Sequence, residues 1–292
     1  MKANHEKSRQ LLLKKIKAAV LGQRGERSAG LAALFCDLFF KRVPLAELSH
    51  EPPENFAAMV HDQLGFLSQR KKNRLSIRVF NPDKQVDGWA CQHTVVEMCN
   101  DDMPFLVDTS RMVMQELNLG VHLIVHPVLN MERDVKGKLK SITSRSTKSS
   151  VKESFIHIHF DKQTDPEVLK DAETLLKTRM AMIRTTVADW QPMMRSLDFA
   201  IDEFGNNAPD LPEKARKEWI DFLKWVGDDH FMFIGARNYE IVQKGKIDSL
   251  KVVKGTGLGL LRVDSKTVLT LSLIHISEPT RLWSGSRMPS SS

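Results

Sequence analysis

Apolar residues recur at a helical spacing along the first quarter of the chain. Between residues 4 and 70 they stand three or four positions apart, as in the segment that contains Leu12, Ile16 and Val20, and this spacing predicts one buried helix face. Prolines interrupt the pattern at Pro44 and at residues 52–53. The second interruption suits the first turn of a helix, where a missing N–H donor costs little. We therefore predict a helical region over residues 1–73.

The hydrophobic period shortens to two residues after residue 74. RLSIRVFNP and HTVVEMCND (93–101) alternate as strands do, and residues 104–118 then return to a helical stripe with Gly120 as its stop. Two further strand-like runs, VHLIVHPVLNMERD and SFIHIHFD, flank a Lys- and Ser-rich loop at 136–152. A long helix is predicted over 165–190, with Asp165 as its cap and Pro166 at its first position.

The order of these elements predicts an α+β fold. Strand, helix, strand, strand, helix over residues 93–190 is most of a βαββαβ module, an antiparallel sheet with helices on one face. We assign this α+β domain to residues 74–191, a helical connector to 192–226, and the start of a second α+β unit to 227–270. Residues 271–292, which begin LSLIHISEPTR, show no periodicity. We predict that they are a non-native tail and that the native sequence is interrupted near Thr270.

Composition and cysteine usage favour an intracellular globular protein. The chain has 292 residues, of which 41% are hydrophobic and 27% charged, as in ordinary globular domains. Its three cysteines are scattered and form no C-x-x-C pair, which disfavours a disulfide scaffold and a structural zinc site. The N-terminus is too charged for a signal peptide, and the apolar run LAALFCDLFF is too short to span a bilayer. We expect a cytoplasmic protein without membrane contact.

The net charge of +7 raises the question of nucleic-acid binding. Basic residues are dispersed, however, apart from clusters at 69–74 and 136–152. Neither zinc-finger spacing nor a strand with aromatic residues set for base stacking accompanies these clusters. The sequence therefore favours a solvated basic surface over a nucleic-acid site.

Five histidines lie on or beside the predicted strands. By strand alternation, His122 and His126 lie on the same side of one strand, and His157 and His159 on the same side of another. This predicts one aliphatic sheet face and one face rich in histidine and aromatic residues. Two imidazoles two residues apart can bind a metal, but no third ligand follows at a fixed spacing. We predict no metal site, and an interface or half-exposed face formed by His93, His122, His126, His157 and His159.

Candidate catalytic groups are weak in this sequence. Asp101, Asp102 and Asp108 stand at a strand-to-helix junction and could act as general acids or bases. Helix capping and the helix dipole explain acids at such a place better. The glycines of KGTGLGLL (254–261) lack the last glycine of a dinucleotide-binding motif and are expected in a turn. We predict no catalytic residue in this chain.

Two separated segments carry a family resemblance. VEMCNDDMPFLVDTSRMVMQELNLGVHLIVHPV and FLKWVGDDHFMFIGARNYEI resemble parts of the N-terminal region of the large bacterial NAD-specific glutamate dehydrogenases, and the resemblance covers approximately residues 10–266. It implies ACT-like modules here, a catalytic domain further along a much longer subunit, and oxidative deamination of L-glutamate to 2-oxoglutarate and ammonium with NAD. On this expectation the chain is a regulatory or oligomerisation fragment. It would be inactive and free of cofactor by itself, with copies of itself and the catalytic domain as partners.

The resemblance also implies where an amino-acid effector would bind. ACT domains commonly carry an acid, a Pro-Gly turn and a helix after their first strand. The corresponding residues here are Asp101, Asp102, Met103, Pro104 and Phe105. A phenylalanine in place of glycine adds bulk and is expected to exclude positive φ, which favours packing or subunit contacts over ligand binding. A stand-alone amino-acid-sensing module is the alternative function.

Overall fold

A computed structural model describes residues 2–22, 26–207, 211–244, 247–262 and 268–270. The predicted α+β class is confirmed, with N-terminal helices followed by an antiparallel sheet. The chain divides into two units, one that runs to Ala181 and one that begins at Met182. Within the described residues, no helix combines the length and apolar character needed to cross a bilayer. The predicted tail at 271–292 lies outside the described residues.

Four helices form an N-terminal layer: α1 (Lys2–Gly22), α2 (Glu26–Phe39), α3 (Leu45–Ser49) and α4 (Pro53–Leu67). Pro53 occupies the first turn of α4 after an extended Pro52, as the sequence predicts. The apolar positions of α1 and α4 are buried against each other, among them Ile16, Val20 and Val60. The apolar residues at helical spacing in this region therefore form a core that the helices share.

Six antiparallel strands form the sheet of the first unit. They are β1 (Ser76–Phe80), β2 (Thr94–Asp101), β3 (Val121–Val125), β4 (Val128–Arg133), β5 (Leu139–Thr143) and β6 (Val151–Phe160). The order is β1-β2-β6-β4-β5, and β3 pairs with the C-terminal half of β6. Since β2 pairs along the whole of one edge of β6, β3 and β4 follow one another along its other edge.

The edge next to β2 differs from the predicted βαββαβ order. In that order the strand beside β2 comes after the second helix, whereas here it is β1, which precedes β2 in the chain. Ile77 and Val79 of β1 pack against the same apolar cluster as the helices α5 (Leu106–Glu116) and α6 (Pro166–Ala188). β1 therefore forms the sheet edge next to β2, with its apolar residues Ile77 and Val79 on the face that packs against α5 and α6.

Both faces of the sheet are covered. One face, with Val96, Met98 and Ile158, packs on α5 and α6 as predicted. The opposite face, with Val95, Cys99 and Phe155, packs on the N-terminal layer; the Phe155 ring lies 5.9 Å from that of Phe35 in α2. Helices were expected on one face only, and the structure has a second helical layer on the other. Seven of the eight residues of β2 are consequently buried.

The second unit contains α7 (Trp190–Asn207), α8 (Glu213–Trp225) and a π-helical turn (Val226–His230), followed by short strands. β7 (Gly235–Ala236) pairs with β10 (Leu258–Gly259), and β9 (Ile247–Val252) lies between β8 (Tyr239–Lys244) and β11 (Val268–Thr270). The glycines of KGTGLGLL provide close backbone approach, because a Cβ on Gly259 would lie 2.3 Å from the carbonyl oxygen of Ile234. Gly255 lies in a turn, as the sequence predicts, whereas Gly259 lies in β10.

Candidate functional site

The acidic turn (residues 101–105) joins β2 to α5. The Asp101 carboxylate pairs with the Arg70 guanidinium at 2.8 Å. The Asp102 carboxylate accepts a hydrogen bond from Ser154 Oγ at 2.7 Å, and the Asp102 N–H donates to the carbonyl of Lys152 at 3.1 Å. Both acids are therefore held by protein groups, and neither caps α5.

Phe105 is the N-terminal cap residue of α5 and has a left-handed backbone, with φ 70° and ψ 4°. The expectation that a phenylalanine here excludes positive φ is wrong. Its carbonyl accepts the Thr109 N–H at 3.0 Å and so starts the helix without any side-chain cap. A non-glycine residue in this region costs about 1–2 kcal/mol. The turn thus keeps the conformation that glycine would provide, at the expense of backbone strain.

Four of the five predicted histidines come together; we call them the imidazole chain (His157, His159, His93 and His122). The two Nε2 atoms of His157 and His159 lie 2.8 Å apart. The His93 ring is 5.5 Å from that of His159 and stacks on His122 at 4.4 Å. Among the residues that the structure describes, no group of three His, Cys, Asp or Glu side chains is arranged to hold a metal ion.

The strand register explains which histidines meet. His157 and His159 share a face of β6, as predicted, but the β3 residues that pair with them are Val125 and Leu123. The prediction that the histidines of β3 share this face by alternation is therefore wrong. The register shifts between Val121 and Leu123. This bulge breaks the alternation and brings His122 to the imidazole chain. A single-residue offset is enough to exchange the two faces of a strand.

The inner end of the imidazole chain is a buried carboxylate. Glu97 lies opposite His157 in the β2–β6 register, with its Oε1 3.0 Å from His157 Nδ1. Gln63 of α4 donates to the same oxygen at 3.0 Å, and Arg78 of β1 donates to the other at 2.9 Å. Burial by itself raises the pKa of Glu97, but the His157 hydrogen bond and the Arg78 charge outweigh it and hold that pKa below its ordinary value. Glu97 is therefore ionised at neutral pH.

The outer end of the imidazole chain reaches solvent at Asp161. His122 Nε2 lies 2.8 Å from Asp161 Oδ1, and the two side chains are 45% and 48% exposed. The pKa of Asp161 is lowered by the Gly120 N–H and by His122. Burial, together with the three other imidazoles, lowers the pKa of His159 to about 2. His159 is thus neutral at physiological pH.

His126 stands apart from the imidazole chain. It lies just beyond β3, is half-buried, and has no hydrogen-bond partner for Nε2 among the described residues. Burial lowers its pKa, while the nearby Asp102 carboxylate opposes this shift. Of the five histidines it is the one that lies near the acidic turn.

A second buried charge network was missed by the sequence reasoning. The Glu153 carboxylate of β6, 0% exposed, accepts hydrogen bonds from Arg133 Nε of β4 at 2.7 Å and from Arg70 Nε at 2.9 Å. Burial raises the pKa of Glu153, but these two guanidiniums outweigh it and hold the pKa below its ordinary value. Strand parity carried a signal, because Glu153 shares a face of β6 with Phe155 and His157. Arg70 is 83 residues away in sequence, and no local pattern indicates it.

Part of this architecture matches the model of a known domain family. Residues 35–176, which include the whole sheet, match the family model "Glutamate dehydrogenase, ACT1 domain". The chain is 30% identical over 262 residues to the NAD-specific glutamate dehydrogenase of Halomonas elongata and 26% identical over 265 residues to that of Pseudomonas aeruginosa. These matches cover 89% and 90% of this chain.

A more distant relative matches part of the same region. The NAD-specific glutamate dehydrogenase of Mycobacterium tuberculosis is 24% identical over 161 residues, which are 54% of this chain and 10% of that protein. The chain spans about 16% of the length of the Halomonas and Pseudomonas relatives. By its ACT1 match and its similarity over nearly its whole length, the chain is similar to the N-terminal region of the NAD-specific glutamate dehydrogenase family.

Proposed function

We propose that this chain is the N-terminal regulatory and oligomerisation region of a large NAD-dependent glutamate dehydrogenase. The whole enzyme would convert L-glutamate, NAD and water to 2-oxoglutarate, ammonium and NADH, with NAD bound to a catalytic domain elsewhere in the polypeptide. The observation that carries this proposal is the match of residues 35–176 to the ACT1 domain of glutamate dehydrogenase. The three cysteines are free thiols, which suits a reducing compartment, and the proposal places the enzyme in the cytoplasm.

The state of the candidate acids and histidines supports a non-catalytic role for this region. A general acid or base must reach the proton that it transfers in a substrate. Asp101 is paired with Arg70, Asp102 accepts from Ser154, and Glu97 is buried beneath the N-terminal layer. Each of these carboxylates is committed to a structural contact.

An exposed aromatic surface on α8 supports the oligomerisation role. None of the residues of α8 is buried, and Trp219, Phe222 and Trp225 are exposed by 54%, 47% and 46%. Their rings form a continuous row, with centroids 6.1 Å and 6.0 Å apart. Contiguous exposed aromatic side chains are enriched where proteins contact one another. The proposal assigns this row to a contact between subunits.

Activity and assembly measurements test the two parts of the proposal. The purified chain should form no NADH from glutamate and NAD, and glutamate-dependent NADH formation by it would refute the assignment. Light scattering should give an oligomer that Trp219→Glu dissociates. Val135→Glu, at a fully exposed position of the first unit, should leave the mass unchanged. A monomeric wild-type chain, or dissociation by both variants, would contradict the role of the aromatic row.

The second candidate function, a stand-alone amino-acid sensor, is favoured by the backbone of the acidic turn. Phe105 has the left-handed conformation that a ligand-approaching Pro-Gly turn uses. Calorimetry with L-glutamate and other amino acids tests this function. Sensing predicts binding heat that Asp102→Ala abolishes and Phe105→Gly strengthens, because the glycine removes bulk from the turn. An absence of heat with every amino acid would leave the packing role.

A further inference from the structure

The inner end of the imidazole chain lies between the N-terminal layer and the sheet. The His157 ring packs edge-on against Phe39 of α2, with centroids 5.5 Å apart, and lies 6.3 Å from the ring of Trp89. Gln63 of α4 reaches the same site through its amide. The innermost histidine therefore contacts both the helices and the sheet that those helices cover.

Hydrogen-bond geometry limits how many protons the inner pair can hold. His157 Nδ1 lies 3.0 Å from a Glu97 carboxylate oxygen, which only accepts, and 3.2 Å from the Gln63 amide nitrogen, which only donates. The shorter contact, which is to a charged group, assigns a proton to Nδ1. In the 2.8 Å contact between the Nε2 atoms of His157 and His159, one nitrogen must donate and the other accept. If both rings were imidazolium, both Nε2 atoms would carry a hydrogen and two like charges would lie in contact. The observed arrangement therefore holds at most one positive charge on this pair.

The carboxylates in contact with the imidazole chain could not balance the positive charge of four protonated imidazoles. Among the residues that the structure describes, two carboxylates contact the imidazole chain directly, one at each end: Glu97 and Asp161. Four protonated imidazoles would therefore exceed the carboxylates in contact with them. The charged groups that face the chain from the surrounding elements are Arg78 of β1, Glu97 of β2, Glu47 of α3, Asp62 of α4, and Asp161 and Lys162 after β6.

We propose that the imidazole chain is a pH-sensitive switch that holds the N-terminal layer on the sheet while its inner pair shares one proton and releases the layer when further protons enter. The closed state binds fewer protons than an open state with solvated imidazoles, because the pKa values of His159 and His93 are lowered by burial and by the neighbouring rings. Closure is therefore complete above the pKa of a free imidazole, near 6.5, and weakens as the pH falls below it. The proposal stands on this geometry and does not depend on the proposed enzyme.

A buried thiol in the N-terminal layer reports on the opening. Cys36 of α2 is 2% exposed in the closed state. The disulfide reagent 4,4′-dithiodipyridine reacts with thiols in mild acid, and the modified peptide can be identified by mass spectrometry. One imidazole that must stay neutral favours opening about tenfold per pH unit below 6.5. Cys36 labelling, normalised to glutathione at each pH, should rise about tenfold between pH 7.5 and 5.5.

Three histidine variants test the switch. His159→Gln keeps a hydrogen-bonding side chain but cannot titrate, and it should hold Cys36 labelling within about twofold across this pH range. His122→Gln, at the half-exposed outer end, should reduce the response and serves if the first variant does not fold. His50→Gln, an exposed histidine outside the chain, should respond as the wild type does, and far-UV circular dichroism at pH 5.5 should remain native. An absent wild-type response, or one that neither chain variant reduces, overturns the proposal.

Discussion

Glu153 offers the sharpest test of how the sheet and the N-terminal layer are held together. Its carboxylate is fully buried and receives Arg133 Nε at 2.7 Å and Arg70 Nε at 2.9 Å, and Cys99 Sγ also lies 3.1 Å away. Glu153→Gln keeps the shape of the side chain but removes its charge. The new amide N–H₂ would point donors at guanidiniums that only donate. Two buried cations would then lack their shared carboxylate, and of the two Arg70 would keep its ion pair with Asp101.

The cost of this substitution follows from the burial of the pair. Removing one partner of a buried ion pair destabilises by about 3–5 kcal/mol, because the remaining charge is left without compensation. For a folding unit of this size, 1 kcal/mol corresponds to a shift in melting temperature of about 2–4 °C. Glu153→Gln should therefore lower the melting temperature of the first unit by roughly 6–20 °C, as measured by thermal denaturation with circular dichroism.

A control and a rescue variant separate this explanation from a general loss of packing. Glu132→Gln on β4 removes a carboxylate that accepts from the Ser141, Thr147 and Ser149 hydroxyls near the surface, and it should shift the melting temperature far less. The triple variant Glu153→Leu, Arg70→Met, Arg133→Met removes the three buried charges and should recover most of the loss. It leaves Asp101, the other partner of Arg70, which is 30% exposed and can be hydrated. If Glu153→Gln costs less than about 1 kcal/mol, or if the triple variant is no more stable, the argument from uncompensated charge is refuted.

Further predictions concern backbone conformation and thiol reactivity. Gly137→Ala should destabilise by more than about 2 kcal/mol in urea denaturation, since its φ is +86° and its Cβ would lie 2.2 Å from the Arg70 carbonyl oxygen; Gly65→Ala, in open space on α4, should be neutral or stabilising. Phe105→Gly should be about 1 kcal/mol more stable than Phe105→Ala, because only alanine keeps the left-handed strain, and equal stabilities would contradict this. Burial raises the pKa of the Cys36 thiol to about 12 and also raises that of Cys99, so Ellman's reagent at pH 8 should modify them only after unfolding; reaction at the rate of a free thiol would disprove their protection.

Local patterns predicted most elements of the first unit, because helix and strand periods are properties of neighbouring residues. They missed β5 (Leu139–Thr143), which lies in the segment predicted to be a loop. Asp165 caps α6 as expected, with its Oδ1 accepting the Glu167 N–H at 2.9 Å. The stop of α5 was misplaced by two residues. Asn118 and not Gly120 has positive φ after this helix, since asparagine also tolerates the left-handed region.

Contacts between distant elements were beyond the reach of periodicity. The second helical layer brings Gln63 to Glu97, which lies 34 residues further along the chain, and Arg70 to Glu153. The bulge in β3 changed which β3 residues share a sheet face with His157. β1 forms the sheet edge at which a strand after the second helix was expected. Each of these outcomes depends on how elements pair in three dimensions. Four of the five candidate histidines therefore lie together and His126 does not, and the burial of His157 was not predicted.

The helical cover on the second face of the sheet has a consequence for where this module can be cut. The matched ACT1 region begins at residue 35, inside α2, and omits α1. Yet α1 contributes Ile16 and Val20 to the core, and the Val20 carbonyl lies 3.1 Å from His61 Nε2 of α4. A polypeptide expressed from residue 35 would expose that core and weaken the layer over two buried carboxylates. We therefore expect the smallest autonomous folding unit to be larger than the evolutionary module, and excision for biophysical work should retain residues 2–188 so that α6 stays whole.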